Sequence, residues 1–292
     1  METDRPTKKS GKETARRIVL IVAAISFMAS AAYLAYDLVW TPIHIRRLQS
    51  EVSSVERSST QQTTAKADAL PVQEKYASLK AKYPDFVGKL TIAGIDMDFP
   101  VVQTTNNTHY LKYTIDGVRD KHGALFVDYR NDLTRLDQNT IVYGHNMKDG
   151  TQFGQLNLYK KLYYYKDCPV VTFNTIYHDY QWKIFAAFLI NTKAEDDNNH
   201  LLYYWQTKFP SDDAFNAFYK EALERSYFLT GVDVTPQDKL LTMSTCSTLF
   251  DDSRFVVLAR LVRDGESAEV DTSAARVNPN QKFPQAVYDA EN

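Results

Sequence analysis

Residues 83–103 read YPDFVGKLTIAGIDMDFPVVQ, and this stretch decides the class of fold. Two short apolar runs, 87–92 and 99–103, flank Gly94, which is the pattern of strands joined by a turn and not of a helix. The same texture recurs downstream at 124–128, 140–143, 170–173, 181–189, 239–245 and 255–262. Turn signals at Asn106-Asn107 and Asp116-Gly117 fall between the early runs, as in a meandering β-structure. Helical spacing interrupts this texture twice. Before the first run, VQEKYASLKAKY (72–83) sets Tyr76, Leu79 and Tyr83 on one face, and Pro84 stops it. Later, Ser211 is placed to cap a helix whose Phe215, Phe218, Tyr219 and Ala222 recur at i, i+3, i+4 and i+7. The expected fold is mainly β: a closed or nearly closed barrel with helices at its N-terminus and one long helix inserted between late strands.

Outside this core the chain changes character. Residues 18–36, IVLIVAAISFMASAAYLAY, are nineteen in succession without a charge. A membrane-crossing helix needs about 20 such residues. Residues 1–17 carry six Lys/Arg against three acids, the bias that keeps a flank cytoplasmic and sends the bulk of the chain outside. Ala29-Ser30-Ala31 resembles a signal-peptidase site, but the apolar run is long for a secretory signal. The organisation that follows is a basic cytoplasmic N-terminus (1–17), a transmembrane anchor (18–40), a Ser/Thr/Gln-rich extracellular stalk or exposed helix (41–70), one folded domain (71–263) and a flexible or loosely docked tail (264–292). That tail holds six acids and two bases. Across the 292 residues, 34 Lys+Arg face 36 Asp+Glu, so no cationic surplus exists for binding nucleic acid. Two cysteines supply neither a disulfide scaffold nor a four-thiolate zinc site. The acidic run Glu195-Asp196-Asp197 lacks the ligand spacing of a calcium loop and reads as solvated.

Two segments carry residues suited to chemistry. TIVYGHNMKDGT (140–151) places His145 just past a β-branched strand, and KLLTMSTC (239–246) puts Cys246 at the end of another. Arg254 follows eight residues later and opens the strand FVVLARLV. If neighbouring strands bring them to one rim, a thiolate can attack a carbonyl, an imidazolium can protonate the leaving amine, and a fixed cation can hold the oxyanion. Taken one at a time, each has an ordinary reading as a buried thiol, a loop histidine or a surface ion-pair donor.

The assembled pattern resembles the sortases, and within them class B. The blocks that carry the resemblance are 83–103, HYLKY (109–113), HGALFVDYRND (122–132), NTIVYGHNMKDGTQFGQLNLY (139–159), TMSTCS (242–247) and SRFVVLARL (253–261). They run in order through nearly the whole core, and the Thr-x-Ser-Thr-Cys and Tyr-Gly-His-Asn-Met segments are the specific parts. The resemblance implies an eight-stranded sortase-like barrel, with N-terminal helices and a long helix between strands six and seven that residues 211–226 would match. It implies a single-pass membrane protein of a Gram-positive bacterium with its catalytic domain outside. It also implies Cys246 as nucleophile, His145 as general acid/base and Arg254 as oxyanion or substrate clamp. The reaction would cleave a C-terminal sorting signal after Thr through a thioester, then pass the surface protein to an amine of a peptidoglycan precursor or cell-wall peptide. Ser244 and Thr245, on the strand leading to Cys246, are candidate substrate contacts or plain strand packing. Neither metal nor other cofactor is called for.

Some features depart from the pattern or leave choices open. Met243 stands where Leu is more usual. Asn278-Pro279-Asn280-Gln281 looks like the start of an Asn-Pro-x-Thr signal without its Thr and reads as chance. A Cys168–Cys246 disulfide would silence the nucleophile. A pilin-polymerising sortase, a secreted cysteine peptidase and a non-catalytic wall-binding module with the same fold are the rival functions.

Overall fold

The computed structural model describes residues 11–58, 70–193, 200–247, 249–250 and 252–289. The residues at 1–10 (including Arg5, Lys8 and Lys9 of the basic flank), the stalk residues 59–69 and the run Glu195-Asp196-Asp197 lie outside the described residues. The chain divides into two units, Met1–Arg46 and Arg47–Asn292.

The first unit is helical: α1 (Gly11–Ala35), a π-helical turn (Tyr36–Trp40) and the start of α2 (Thr41–Ser58). Helix runs from Glu13 to Val55 with a peak mean hydropathy of 2.3, long and apolar enough to cross a membrane. Its apolar side chains face outward on all sides, Val19, Phe27 and Tyr33 among them.

In the second unit eight strands close a barrel: β1 (Phe86–Ile92), β2 (Met97–Val102), β3 (Leu125–Val127), β4 (Asn139–Tyr143), β5 (Val170–Thr175), β6 (Gln181–Asn191), β8 (Leu240–Cys246) and β9 (Ser253–Leu261). A short β7 (Phe228–Leu229) stands apart and pairs with β10 (Arg276–Val277). Around the barrel the order is β1-β2-β3-β4-β8-β9-β6-β5. The architecture is the expected eight-stranded one, but its connectivity is not a plain meander. β2–β3 and β4–β8 are parallel pairs, which require crossovers, while the remaining pairings are antiparallel. β5 alternates half-buried and buried positions, as a strand with one solvated face should. β6 is buried at every position after Gln181, because it is covered on both faces. One cover is α5 (Asp212–Arg225), which lies in sequence between the sixth and seventh barrel strands. Its Phe215, Phe218 and Ala222 pack with Phe185, Phe188, Val256 and Leu258, and Ser211 caps it by accepting from Ala214 N at 3.2 Å.

At the N-terminal side α3 (Glu74–Lys82) buries Tyr76 and Leu79 against Phe86 and Phe126. The Arg47–Val55 part of α2 joins the same cluster through Leu48 and Val52. Gln49 Nε2 donates to Asp98 O at 3.1 Å, and Ser53 Oγ donates to Asp98 Oδ2 at 2.8 Å. This part of the expected stalk is therefore a packed helix: Leu48, Val52 and Val55 form an i, i+4, i+7 stripe within a polar composition.

The C-terminal segment is likewise tied down within the described residues. Glu266 accepts from Lys183 Nζ at 2.7 Å and pairs with Arg260. Arg263 grips Asp238 at 2.7 and 2.8 Å, and the Asn278 amide reaches the end of α5. A short α4 (Leu162–Asp167) and a final α6 (Gln285–Asp289) complete the elements.

Candidate active site

The parallel pairing of β4 with β8 brings the two chemically suggestive segments to the same end of the barrel. Their last register pair is Tyr143 with Ser244, and Gly144 N donates to Ser244 O at 3.2 Å. His145 and Cys246 thus stand equally far beyond that pair, on adjacent strand ends. On the other side β9 runs antiparallel to β8, and its register sets Arg254 directly opposite Cys246. All three line one cleft of about 400 Å³. Cys246 is exposed, while His145 and Arg254 are half-buried.

The His145 ring is oriented by the backbone. Its Nε2 lies 2.9 Å from Leu111 O. A carbonyl only accepts, so this nitrogen is the N–H and Nδ1 remains available as proton acceptor. Among the described residues Arg254 Nη1 donates to Ser253 O at 3.0 Å, and no other hydrogen bond takes up its donor fork at the cleft.

Ser244 and Thr245 also line the cleft, each 2 % exposed. Ser244 Oγ donates to Tyr204 Oη at 3.0 Å, whereas Thr245 Oγ1 is buried with no hydrogen-bond partner among the described residues. Burial pushes the Tyr204 phenol above its ordinary value, so it stays protonated.

The remaining walls come from residues that sequence reading passed over: Asn107, Leu111, Phe126, Tyr143, Thr192, Tyr204 and Trp205. Two fastenings hold Asn107, Tyr143, Tyr204 and Trp205. Asn139 Nδ2 donates to Tyr204 O at 3.1 Å and Gln206 O at 2.8 Å, pinning that segment over the start of β4. Asp128, with no exposed surface, is the hub of the second. It accepts from Arg130 Nε and Nη2 at 2.8 Å each, from Asn107 Nδ2 at 2.9 Å and from Tyr143 Oη at 3.1 Å. Arg130 Nη2 also donates to Trp205 O at 2.8 Å. Burial pushes the Asp128 carboxyl up, but these donors outweigh it and hold it below the usual carboxylate value. Asn106-Asn107 reads as a turn in sequence, and Asp128 carries no period or spacing that marks it as a hub.

Both cysteines are free: Cys168 is buried and Cys246 exposed, so no disulfide silences the latter. Burial, helped by Asp167, pushes the Cys168 thiol up and makes it a poor nucleophile. Chemically, the cleft offers an accessible thiol, an imidazole and a guanidinium at the mouth of a partly apolar groove, the parts needed for acyl transfer.

Comparison with known proteins gives a consistent picture. The sequence model of the sortase domain matches residues 90–262. Sortase B of Staphylococcus aureus (strain NCTC 8325 / PS 47) is 32% identical over 194 residues, covering 66% of this chain and 76% of that protein. A Staphylococcus aureus sortase B–substrate complex superposes with a TM-score of 0.65 at 28% identity, covering 76% of this chain and 96% of the other. A sortase B solved in complex with triglycine gives the same TM-score and identity, covering 76% and 97%.

Proposed function

The chain belongs to the sortase family, among its class B members, and from that premise we propose that it is a membrane-anchored transpeptidase that joins surface proteins to the cell wall. In the first half-reaction the Cys246 thiolate attacks the carbonyl carbon that follows the Thr side chain of a C-terminal sorting signal. The S–C bond forms and the peptide C–N bond breaks. His145 takes the thiol proton as the thiolate forms and gives it to the departing amine, while Arg254 holds the carbonyl oxygen as it gains charge. In the second, an amine of a peptidoglycan precursor or wall peptide attacks the thioester. The new C–N bond forms, the S–C bond breaks, and His145 takes the proton from the amine. Ser244 and Thr245 line the floor along which the signal would lie.

The observation that carries this reading is the register, with Arg254 opposite Cys246 and His145 level with it on the parallel neighbour. The substrate-bound and triglycine-bound relatives support a peptide in the cleft and a peptide amine as acceptor. The outward-facing apolar surface of α1 supports a membrane-spanning helix, and the basic residues before it favour a catalytic domain outside.

The test uses the full chain in detergent micelles and fluorogenic Asn-Pro-x-Thr, Ser-Pro-x-Thr and Leu-Pro-x-Thr peptides, with and without an added amine. Mass spectrometry should find cleavage after Thr, an acyl adduct on Cys246 and an amine-ligated product. Cys246→Ala should abolish cleavage, and His145→Ala and Arg254→Ala should each remove most of the rate, about 100-fold or more, with the circular dichroism spectrum retained. A cleaving Cys246→Ala variant places the nucleophile elsewhere. Cleavage that never captures an amine makes the enzyme a hydrolase.

A further inference from the structure

Beside the cleft lies a buried histidine that the reaction does not use. His122 is 1 % exposed and sits between two carboxylates, with Nδ1 2.7 Å from Asp120 Oδ1 and Nε2 2.9 Å from Asp149 Oδ2. Each ring nitrogen is within hydrogen-bond distance of a carboxylate oxygen, so the ring spans both partners. Its two partners stand on different segments, and each segment holds a different part of His145.

Asp120 belongs to the turn that folds back on residues 110–112. Asp120 N donates to Lys112 O at 2.9 Å, and Ala124 N donates to Tyr110 O at 3.0 Å. Between these anchors lies Leu111, whose carbonyl receives the His145 ring. Asp149 belongs to the loop that begins at His145. Its Oδ1 accepts from Thr151 N at 3.0 Å and Thr151 Oγ1 at 2.7 Å. Phe153 N closes that loop by donating to His145 O at 3.0 Å, and Gln152 Nε2 donates to Gly123 O at 3.2 Å. The main chain of His145 and the acceptor of its ring therefore rest on two separate segments, and the His122 bridge ties those segments together.

We propose that His122 is a positioning residue for transpeptidation: by bridging Asp120 and Asp149 it fixes the His145 imidazole against the Leu111 carbonyl and beside Cys246. This rests on the reading of His145 as acid/base given above. His122 does not line the cleft; it sets where the proton donor stands, and reaction rates are steep in that placement.

The experiment uses the full chain in detergent micelles, with rates expressed per Cys246 thiol that alkylates in the native protein. His122→Gln should lower kcat about tenfold or more while KM stays within about twofold. Asp149→Asn should do the same. The double variant should be little worse than either single one, because both remove the same bridge. Gln keeps a neutral donor and should retain more activity than His122→Ala. If His122→Ala fails to fold, the Gln and Asp149→Asn variants carry the test. Wild-type kcat in folded His122→Gln, even with a lowered melting temperature, overturns the proposal, as does an effect confined to KM. His145→Ala separates the two claims. If it remains active, the acid/base reading itself falls; if it is inactive while His122→Gln is unimpaired, only the positioning role falls.

Discussion

Gly144 has no side chain, yet the placement of its neighbour His145 depends on it. A Cβ added there would lie 2.3 Å from Leu125 Cδ2 and 2.9 Å from Phe153 Cδ2. Both of those side chains are fully buried and cannot swing into solvent. Gly144→Ala must therefore displace the strand end, at a cost of about 1–3 kcal/mol for an overpacked core. For a domain of this size that lowers the melting temperature by about 2–4 °C per kcal/mol. Because Gly144 N also donates to Ser244 O, the displacement falls between His145 and the Cys246 strand. The expected result, read by calorimetry and steady-state kinetics, is a lower melting temperature together with a lower kcat. Wild-type values for both would mean that Leu125 and Phe153 yield freely. At this scale the sequence was informative about where Cys246, His145 and Arg254 stand, since each lies at or just past the end of a recognisable strand. It was silent about Asp128 and His122, because a buried polar hub is defined by partners distant in the chain.

Among the elements, α5 shows how an end that looks unsupported is finished from afar. The last carbonyls of a helix lack intrahelical donors. Here Asn278 Nδ2 donates to Leu223 O at 3.1 Å, Glu224 O at 3.3 Å and Ser226 O at 2.9 Å, and Gln281 Nε2 donates to Arg225 O at 3.0 Å. The Asn-Pro-Asn-Gln run is thus a helix cap, which accounts for it without any appeal to a sorting signal. An exposed ion pair, Lys282 with Glu224 at 2.6 Å, lies alongside. Loss of buried or half-buried acceptor satisfaction costs about 1–3 kcal/mol, while an exposed pair contributes about 0–1. Denaturant unfolding should therefore show Asn278→Ala as clearly more destabilising than Lys282→Ala; the reverse order would assign the docking to charge. The N-terminal cap of the same helix was legible, because Ser211 acts on Ala214, three residues on. The C-terminal cap was not, because its donor lies more than fifty residues away and follows no period.

For the molecule as a whole, strand positions could be read from local apolar runs, but barrel order could not. The parallel β4–β8 pairing joins residues about a hundred positions apart, and nothing in either strand specifies its neighbour. That pairing brings His145 and Cys246 to one cleft. Around it, carboxylates hold loops and tail in place. Burial pushes Asp128 up, and Arg130 and Asn107 more than offset it; the same contest, won by Arg263 and Thr235, lowers Asp238. Glu266 is lowered foremost by Arg260, with Lys183 contributing. Each of these groups binds its proton less readily folded than unfolded. Its stabilisation is therefore complete above the unfolded value, about 3.9 for Asp and 4.3 for Glu, and is lost as pH falls through the lowered folded value. The buried Tyr204 and the half-buried Tyr143 and Tyr227 are raised chiefly by desolvation, Tyr227 to about 12, so their contribution is lost only as pH climbs above about 10. Melting temperature should form a plateau between these limbs and fall steeply on the acid side. In Asp128→Asn the protein should melt below wild type at pH 7, and that gap should close as pH is taken down below about 4. A gap that stays constant across the titration would show that the Asp128 hub works through shape and not through its charge.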